Sequence, residues 1–164
     1  MNFSNKIIGK DNNNVLVVDS MNLAFRWKHQ GKTDFEYEYL RTVESLAQSY
    51  DCGNIIITAD QGKSSYRLDL CSEYKANRKV HRRLNRTDFH DGINEEEAMK
   101  RQIVRLFDYL ETLPVKTMMF DGMEADDVIG YVCSNLYPDS EKVIYSMDKD
   151  FYQLVNDKVS VYSP

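Results

Sequence analysis

The stretch NVLVVD, residues 14–19, is a run of apolar, mostly β-branched side chains that ends on Asp19. Such a run predicts a strand that is buried on both faces of a sheet. Similar runs follow at NIIITAD (54–60), VKTMMF (115–120), KVIYSMD (142–148) and KVSVYS (158–163). With helical segments between them, these runs predict an α/β fold whose central sheet is mainly parallel and covered on both faces.

Helical spacing of apolar residues separates several of these strands. It covers FEYEYLRTVESLAQSY (35–50) and NEEEAMKRQIVRLFDYLE (94–111), and another helix begins near Glu124. KDFYQLV (149–155) favours a short helix. The polar segment from 61 to 92 has weak core spacing, and its length is typical of a functional connection. We expect one domain, without repeats.

The composition favours a soluble protein of a reducing cytoplasm. Cys52, Cys71 and Cys133 are odd in number and scattered, which argues against disulfides and a zinc site. No segment has the pattern of a signal sequence or a membrane span. The net charge is −5, yet KANRKVHRRLNR (75–86) carries six basic residues and no acid. Taken alone, such a run is usually a solvated face.

Acidic residues follow the predicted strands. Because ligands of parallel sheets bind outside the carboxyl ends of the strands, we expect these carboxylates to converge on one edge. The set comprises Asp19, Asp60, Glu124, Asp126, Asp127, Asp148 and Asp150. Asp148 and Asp150 are two residues apart, a spacing that places both side chains on one side of an extended chain.

Each acid has a simpler explanation by itself. An Asp after a strand often begins a turn, and acids in the first turn of a helix complement its dipole. Together they are costly, since like charges about 4 Å apart repel by roughly 4 kcal/mol at an effective dielectric near 20. Ligands that are all oxygen suit Mg²⁺ or Mn²⁺. We therefore predict a metal cluster, and we expect neutralisation of Glu124 and Asp126 to raise metal-free stability.

A divalent metal site beside a basic segment indicates phosphodiester chemistry. Metal ions polarise phosphoryl oxygens and activate water, and basic side chains hold phosphates without reading sequence. Tyr74 is placed either to stack on a base or to pack in the core.

Four blocks of this sequence, in order and spacing, resemble the phage and bacterial 5′-nuclease family of flap endonucleases and 5′→3′ exonucleases, and phage flap endonucleases most of all. The blocks are VVDSMNLAFRWKH (17–29), ADQGKSSYRLDLCSEYKANR (59–78), GMEADDVIGYV (122–132) and SMDKDFYQLV (146–155). The resemblance implies a PIN-like, three-layer α/β/α domain over 15–164, a flexible N-terminus over 1–14 and a helical arch over about 76–110.

The resemblance also implies roles for single residues. Asp19, Asp60, Glu124, Asp126 and Asp127 would build one metal site, and Asp148 and Asp150 would contribute to a second. Lys75, Arg78 and Asp148 would be catalytic. Together with the basic segment and Tyr74 considered above, the predicted DNA-binding set is Arg67, Tyr74, Lys75, Arg78, Lys79, Arg82, Arg83 and Arg86. The implied cofactor is Mg²⁺, with Mn²⁺ as a substitute. The implied substrate is DNA with a free 5′ end or flap. We expect a monomer without membrane contact, in the cytoplasm of a bacterial or phage-infected cell.

Members of this family continue beyond the matched region with further Asp residues and a helix-hairpin motif. We therefore expect the catalytic amino-terminal portion of a 5′ nuclease. The alternative is a non-catalytic nucleic-acid-binding piece that needs a separate carboxy-terminal polypeptide. Two other enzyme classes fit less well. A haloacid-dehalogenase phosphatase needs an acid at position 21, where Met21 stands, and a small PIN ribonuclease needs no basic arch.

Overall fold

A five-stranded sheet forms the centre of the computed structural model, which describes residues 13–29, 34–61, 64–75 and 95–164. The strand order is β3-β2-β1-β4-β5, and every neighbouring pair is parallel. The strands are β1 (Val15–Asp19), β2 (Asn54–Thr58), β3 (Lys116–Met118), β4 (Lys142–Tyr145) and β5 (Val159–Tyr162). The predicted parallel sheet is confirmed.

The described helices connect these strands. They are α1 (Ser20–His29), α2 (Glu36–Ser49), α3 (Ser65–Leu70), α4 (Glu95–Glu111) and α5 (Ala125–Asn135), with a 3₁₀ helix at Lys149–Leu154. The predicted helices are confirmed at α2, α4 and α5, and the short one is 3₁₀. Helices α1 and α3 were not predicted. Helix α3 forms within the polar segment, where the Ser64 side chain caps its first turn. None of its residues is buried, so it has no apolar face that the sequence pattern could show.

The alternation of side chains along β1 divides the core into two layers. Leu16 and Val18 face one layer, which contains apolar residues of α1, α2 and α4. Val15 and Val17 face the other layer, which contains α5 and Phe151 of the 3₁₀ helix. The predicted three-layer α/β/α arrangement is therefore confirmed.

The strand order reverses at β1, since the chain moves outward to β2 and β3 on one side and to β4 and β5 on the other. A parallel sheet has its ligand crevice at such a point, outside the carboxyl ends of the strands. Strand β2 ends at Thr58 and β4 ends at Tyr145. Asp60 and Asp148 were predicted as strand ends, and instead they lie in the connections that follow. Residues 149–154 are helical, so the extended geometry assumed for Asp150 is wrong.

Parts of the predicted domain plan lie outside the described residues, namely 1–12 at the N-terminus and 76–94 of the arch. The remainder of the arch segment forms α4, whose Leu106 and Leu110 are buried in the first core layer. The arch stays a prediction. Within the residues described, no helix combines the length and the apolar character needed to span a membrane.

We expect Ile144→Ala to lower the free energy of unfolding by about 2–5 kcal/mol, because Ile144 on β4 is fully buried against α5 and truncation leaves a cavity. Val104→Ala on α4 is the control, since Val104 is 61% exposed and its truncation should change stability by less than about 0.5 kcal/mol. Urea unfolding of both variants measures the difference. Equal losses would contradict the assignment of Ile144 to the core.

Candidate active site

The first turn of α5 gathers acidic side chains around its backbone N–H groups. Glu124 precedes the helix and is only 2% exposed, and its N–H donates to Asp127 Oδ2 at 3.3 Å. The next N–H, of Ala125, donates to Asp60 Oδ1 at 2.7 Å. Asp60 therefore joins the connection after β2 to the start of α5. Negative charge is favoured there because the first N–H groups of a helix have no acceptor within the helix and the helix dipole is positive at this end.

The guanidinium of Arg67, on α3, contacts all three acids at the start of α5. Its Nη1 lies 2.6 Å from Glu124 Oε2, and its Nη2 lies 2.8 Å from Asp127 Oδ1 and 3.4 Å from Asp126 Oδ2. These are charge-assisted hydrogen bonds or close ion pairs, and the guanidinium side chain is 28% exposed. One planar cation thus opposes the mutual repulsion of three carboxylates.

Two residues from the turn after α3 add to this contact. Lys75 Nζ lies 2.8 Å from Glu124 Oε1, and the Tyr74 hydroxyl donates to Glu124 Oε2 at 3.0 Å. The cationic groups of Arg67 and Lys75 lie 5.7 and 5.2 Å from the centre of the Tyr74 ring. We call Arg67, Tyr74 and Lys75 the clamp. Tyr74 is half-buried here and not a core residue.

The clamp changes the pKa of the group it holds. Burial by itself would raise the pKa of Glu124, but the hydrogen bonds from Lys75 and Tyr74 and the charges of Lys75 and Arg67 outweigh burial and lower it. For Arg67, burial favours loss of the proton, and the nearby Asp126 and Asp127 reverse that tendency and raise its pKa. Both partners are therefore held in their charged forms at neutral pH.

The position of α3 depends on a close backbone contact with the loop before α5. Ser64 accepts a hydrogen bond from the Arg67 N–H at 3.3 Å, and the Ser65 N–H donates to the Gly122 carbonyl at 3.0 Å. Gly122 has a φ of +74°, and a Cβ there would lie 2.7 Å from Ser65 Oγ. A glycine at 122 therefore permits the contact that brings Arg67 to Glu124.

A second group of acids lies where β1 and β4 end side by side. Asp19 Oδ2 accepts a hydrogen bond from Ser146 Oγ at 3.0 Å, and Asp19 Oδ1 accepts one from the Asn22 N–H at 3.2 Å. Asp148 Oδ1 accepts a hydrogen bond from the Asp150 N–H at 2.9 Å. Asp148 and Asp150 are both exposed.

Asp19 differs from Glu124 in the sign of its pKa shift. Burial raises the pKa of Asp19, and the negative charges of Asp60 and Asp148 raise it further, while the donors Asn22 and Ser146 only partly oppose these effects. The raised pKa of Asp19 is thus mainly an effect of burial, to which the negative charges of Asp60 and Asp148 add.

The acids form two groups of contacts that share the carboxyl edge of the sheet. Among the described residues, no three His, Cys, Asp or Glu side chains are arranged so as to hold a metal ion, and the clamp supplies the positive charge at the start of α5. The donor set is nevertheless all oxygen and includes Asp19, whose pKa is raised by burial and by neighbouring acids, and such a set fits a hard divalent cation. The assignment of the seven acids as metal ligands stays a prediction.

Part of the predicted basic set lies outside the described residues, namely Arg78, Lys79, Arg82, Arg83 and Arg86. Sequence reasoning missed Ser146, Asn22 and Gly122. The signals were present, because Ser146 is a polar residue directly after an apolar strand, and Gly122 separates a strand from an acidic helix start.

The profile of a protein family described as "5'-3' exonuclease, N-terminal resolvase-like domain" matches residues 14–163 of this chain. The chain is similar to the flap endonuclease of Escherichia phage T5, with 36% identity over 160 residues that cover 92% of this chain and 51% of that protein. It is also 34% identical over 127 residues to the 5'-3' exonuclease of Buchnera aphidicola subsp. Schizaphis graminum, covering 76% of this chain and 39% of that protein. The chain thus spans about half or less of the length of these relatives.

Solved structures of the phage T5 enzyme share the fold. One, described as T5 5'-exonuclease with bound divalent zinc ions, has a TM-score of 0.79 at 33% identity and covers 92% of this chain and 55% of that one. Another, a variant T5 flap endonuclease in a complex with DNA and metal ions, has a TM-score of 0.75 at 32% identity, with 92% and 54% covered. The predicted PIN-like fold is confirmed by this likeness.

We expect Glu124→Gln to lower metal-free stability by about 2 kcal/mol, because Glu124 makes hydrogen bonds to charged partners that a neutral side chain weakens. This reverses the sequence-based expectation for Glu124. Asp19→Asn should instead raise stability, because burial and neighbouring acids disfavour the Asp19 charge. Urea unfolding in EDTA at neutral pH measures both changes.

The same two variants have a defined pH dependence. The pKa of Glu124 is lower in the folded than in the unfolded chain, so its contribution is present at neutral pH and is lost as the pH falls below about 4. The deficit of Glu124→Gln should therefore shrink in acid. The gain of Asp19→Asn should also shrink, since protonated Asp19 is already neutral. Differences that stay constant with pH would contradict both assignments.

We expect Gly122→Ala to cost about 1–2 kcal/mol, because an L-residue is strained at a φ of +74°. The matched control is Gly130→Ala within α5, where an added Cβ meets no atom within 4 Å and should stabilise the helix by about 0.5–1 kcal/mol. Urea unfolding gives the two signs. The Arg67 side-chain NMR signal should shift only in Gly122→Ala, and an unchanged signal there would contradict the link between Gly122 and the clamp.

Proposed function

Because this chain belongs to the 5'-3' exonuclease family, to its N-terminal resolvase-like domain, we propose that it is the catalytic N-terminal portion of a divalent-metal-dependent 5' nuclease that hydrolyses DNA phosphodiesters. The observation that carries the proposal is that acids from four segments of the chain lie at the carboxyl edge of a parallel sheet. Two cationic side chains contact the acids at the start of α5. The relatives with similar sequences are named flap endonucleases and 5'-3' exonucleases.

The proposed cofactor is Mg²⁺, with Mn²⁺ as a substitute. The first site would use Asp19, Asp60, Glu124, Asp126 and Asp127, and the second would use Asp148 and Asp150. A bound divalent ion would supply Lewis-acid polarisation of the phosphate and a lowered pKa for an attacking water. The solved T5 structures that contain divalent metal ions support this choice of cofactor class.

The clamp gives the proposed site a way to exchange one ionic partner for another. Arg67 and Lys75 pair with carboxylates that are also the proposed metal ligands. If a bound divalent cation neutralised those carboxylates, the two side chains would be available for a phosphate at little cost in net charge. We propose that Lys75, with Arg78, stabilises the charge that develops on the phosphate, and that Tyr74 stacks on a neighbouring base.

The proposed substrate is DNA with a free 5′ end or flap, which the predicted arch would select. The remaining proposed contacts are electrostatic and independent of sequence, so binding should weaken with salt. They comprise Arg67, Lys79, Arg82, Arg83 and Arg86. We further propose that the protein acts as a monomer in the cytoplasm.

A second candidate function follows from the coverage of the relatives, of which this chain matches about half or less. In it, the chain binds metal and DNA but cleaves only together with a separate polypeptide that carries the rest of the relatives' length. The two candidates make opposite predictions for the purified chain alone.

We expect the purified chain to cleave a 5′-end-labelled flap DNA in Mg²⁺ or Mn²⁺ and not in EDTA. Asp148→Asn should reduce cleavage to the EDTA background, because it removes a proposed metal ligand. Asp139→Asn is the matched control, since Asp139 is a fully exposed acid whose ion pair with Lys158 spans 3.8 Å and contributes little. Cleavage rates on denaturing gels measure the three proteins.

Cleavage that survives Asp148→Asn would mean a contaminating nuclease and would contradict the proposal. A folded chain that binds Mn²⁺ and flap DNA yet leaves the flap intact would support the second candidate. Restoration of cleavage by a carboxy-terminal fragment of the phage T5 relative would then confirm it.

A further inference from the structure

The carboxyl ends of β1 and β4 are neighbours at the point where the strand order reverses. The connection after β1 leads away to α1 and α2, whereas the connection after β4 leads to the 3₁₀ helix and β5. Neighbouring connections that leave in different directions open a crevice between them. Asp19 lies at one side of this crevice and Asp148 lies at the other.

Ser146 joins the two sides. It is completely buried, its Oγ donates to Asp19 Oδ2 at 3.0 Å, and its Oγ accepts a hydrogen bond from the Asp148 N–H at 3.1 Å. A hydroxyl carries one proton, so the bond from the Asp148 amide leaves that proton for Asp19. The Ser146 hydroxyl therefore has one defined orientation, with the Asp148 backbone on one side and the Asp19 carboxylate on the other.

Asn22 makes a second connection across the same crevice. Its backbone N–H donates to Asp19 Oδ1 at 3.2 Å, as the third residue of a helix does to a capping side chain. Its side-chain Oδ1 accepts a hydrogen bond from the Met147 N–H at 3.2 Å. The Met147 amide is thus bonded to the side chain of Asn22, which follows β1. The next amide, of Asp148, is bonded to the side chain of Ser146, which itself donates to Asp19.

We propose that Ser146 and Asn22 are positioning residues that set where Asp148 stands relative to Asp19. Resting on the proposed function, the inference is that they thereby fix the separation of the two proposed ion sites. Asp148 is exposed, so packing around its side chain contributes little to its position. Paired ions in phosphoryl-transfer sites lie about 3.5–4 Å apart. A loosely held connection after β4 would let the distance between Asp148 and Asp19 vary, and the separation of the two ions would vary with it.

The test uses Ser146→Ala and Asn22→Ala in the full chain. The matched control is Thr58→Val on β2, because Thr58 is equally buried and its hydroxyl donates to the Val18 carbonyl at 3.0 Å, not to an acid. Two quantities are measured for each protein. One is amide hydrogen exchange at Met147 and Asp148 without metal, and the other is Mn²⁺ binding, followed by the EPR signal of the free ion.

We expect Ser146→Ala to speed exchange at Asp148, and Asn22→Ala to speed exchange at Met147. Both should weaken Mn²⁺ binding by about 10-fold or more, the usual effect of removing a group that orients a metal ligand. Thr58→Val should lose stability while leaving both quantities as in the wild type. A merely structural role for the Ser146 hydroxyl would make Ser146→Ala and Thr58→Val behave alike.

Unchanged exchange at Met147 and Asp148 in the two alanine variants would overturn the proposal. Faster exchange with unchanged Mn²⁺ affinity would overturn it too, since Asp148 would then be held without consequence for the ion. A wild-type chain that binds no Mn²⁺ would instead contradict the proposed function. In that case the exchange rates alone decide whether Ser146 and Asn22 hold Asp148.

Discussion

Repulsion between carboxylates is the constraint on which the rest of this site depends. A parallel sheet brings the carboxyl ends of all its strands to one edge, so acids that follow different strands meet there. Their charges must be opposed by cations or by hydrogen-bond donors for the chain to fold. The protein uses both kinds of partner, in two adjacent groups.

Cations oppose the charge at the start of α5. Arg67 and Lys75 lie some 50 to 60 residues before Glu124 in the chain, and the fold brings them within 2.6 and 2.8 Å of it. This contact depends on α3, which in turn depends on the close approach of Ser65 to Gly122. Glu124 is consequently stabilised in its charged form even though it is buried.

Neutral donors oppose the charge at the end of β1. Asn22 and Ser146 satisfy the oxygens of Asp19, but they do not cancel its charge, and Asp60 and Asp148 add to it. The pKa of Glu124 is lowered because its cations and donors outweigh its burial, whereas the pKa of Asp19 is raised because its burial outweighs its two donors. Negative charge from Asp19, Asp60 and Asp148 remains at the ends of β1, β2 and β4, and a divalent cation bound there would oppose it.

The sequence by itself determined the layers of the fold, because β-branched runs such as 14–19 are too apolar to be left in water and their parallel pairing requires helices on both faces. It also indicated which acids to expect at the sheet edge, since they follow apolar runs or open the helix that comes after one. Only the tertiary structure decided the partners of those acids. The pairing of Arg67 with Glu124, and of Ser146 with Asp19, joins residues that are 57 and 127 positions apart. Such contacts leave no periodic signal along the chain, because they depend on where the folded backbone places each side chain.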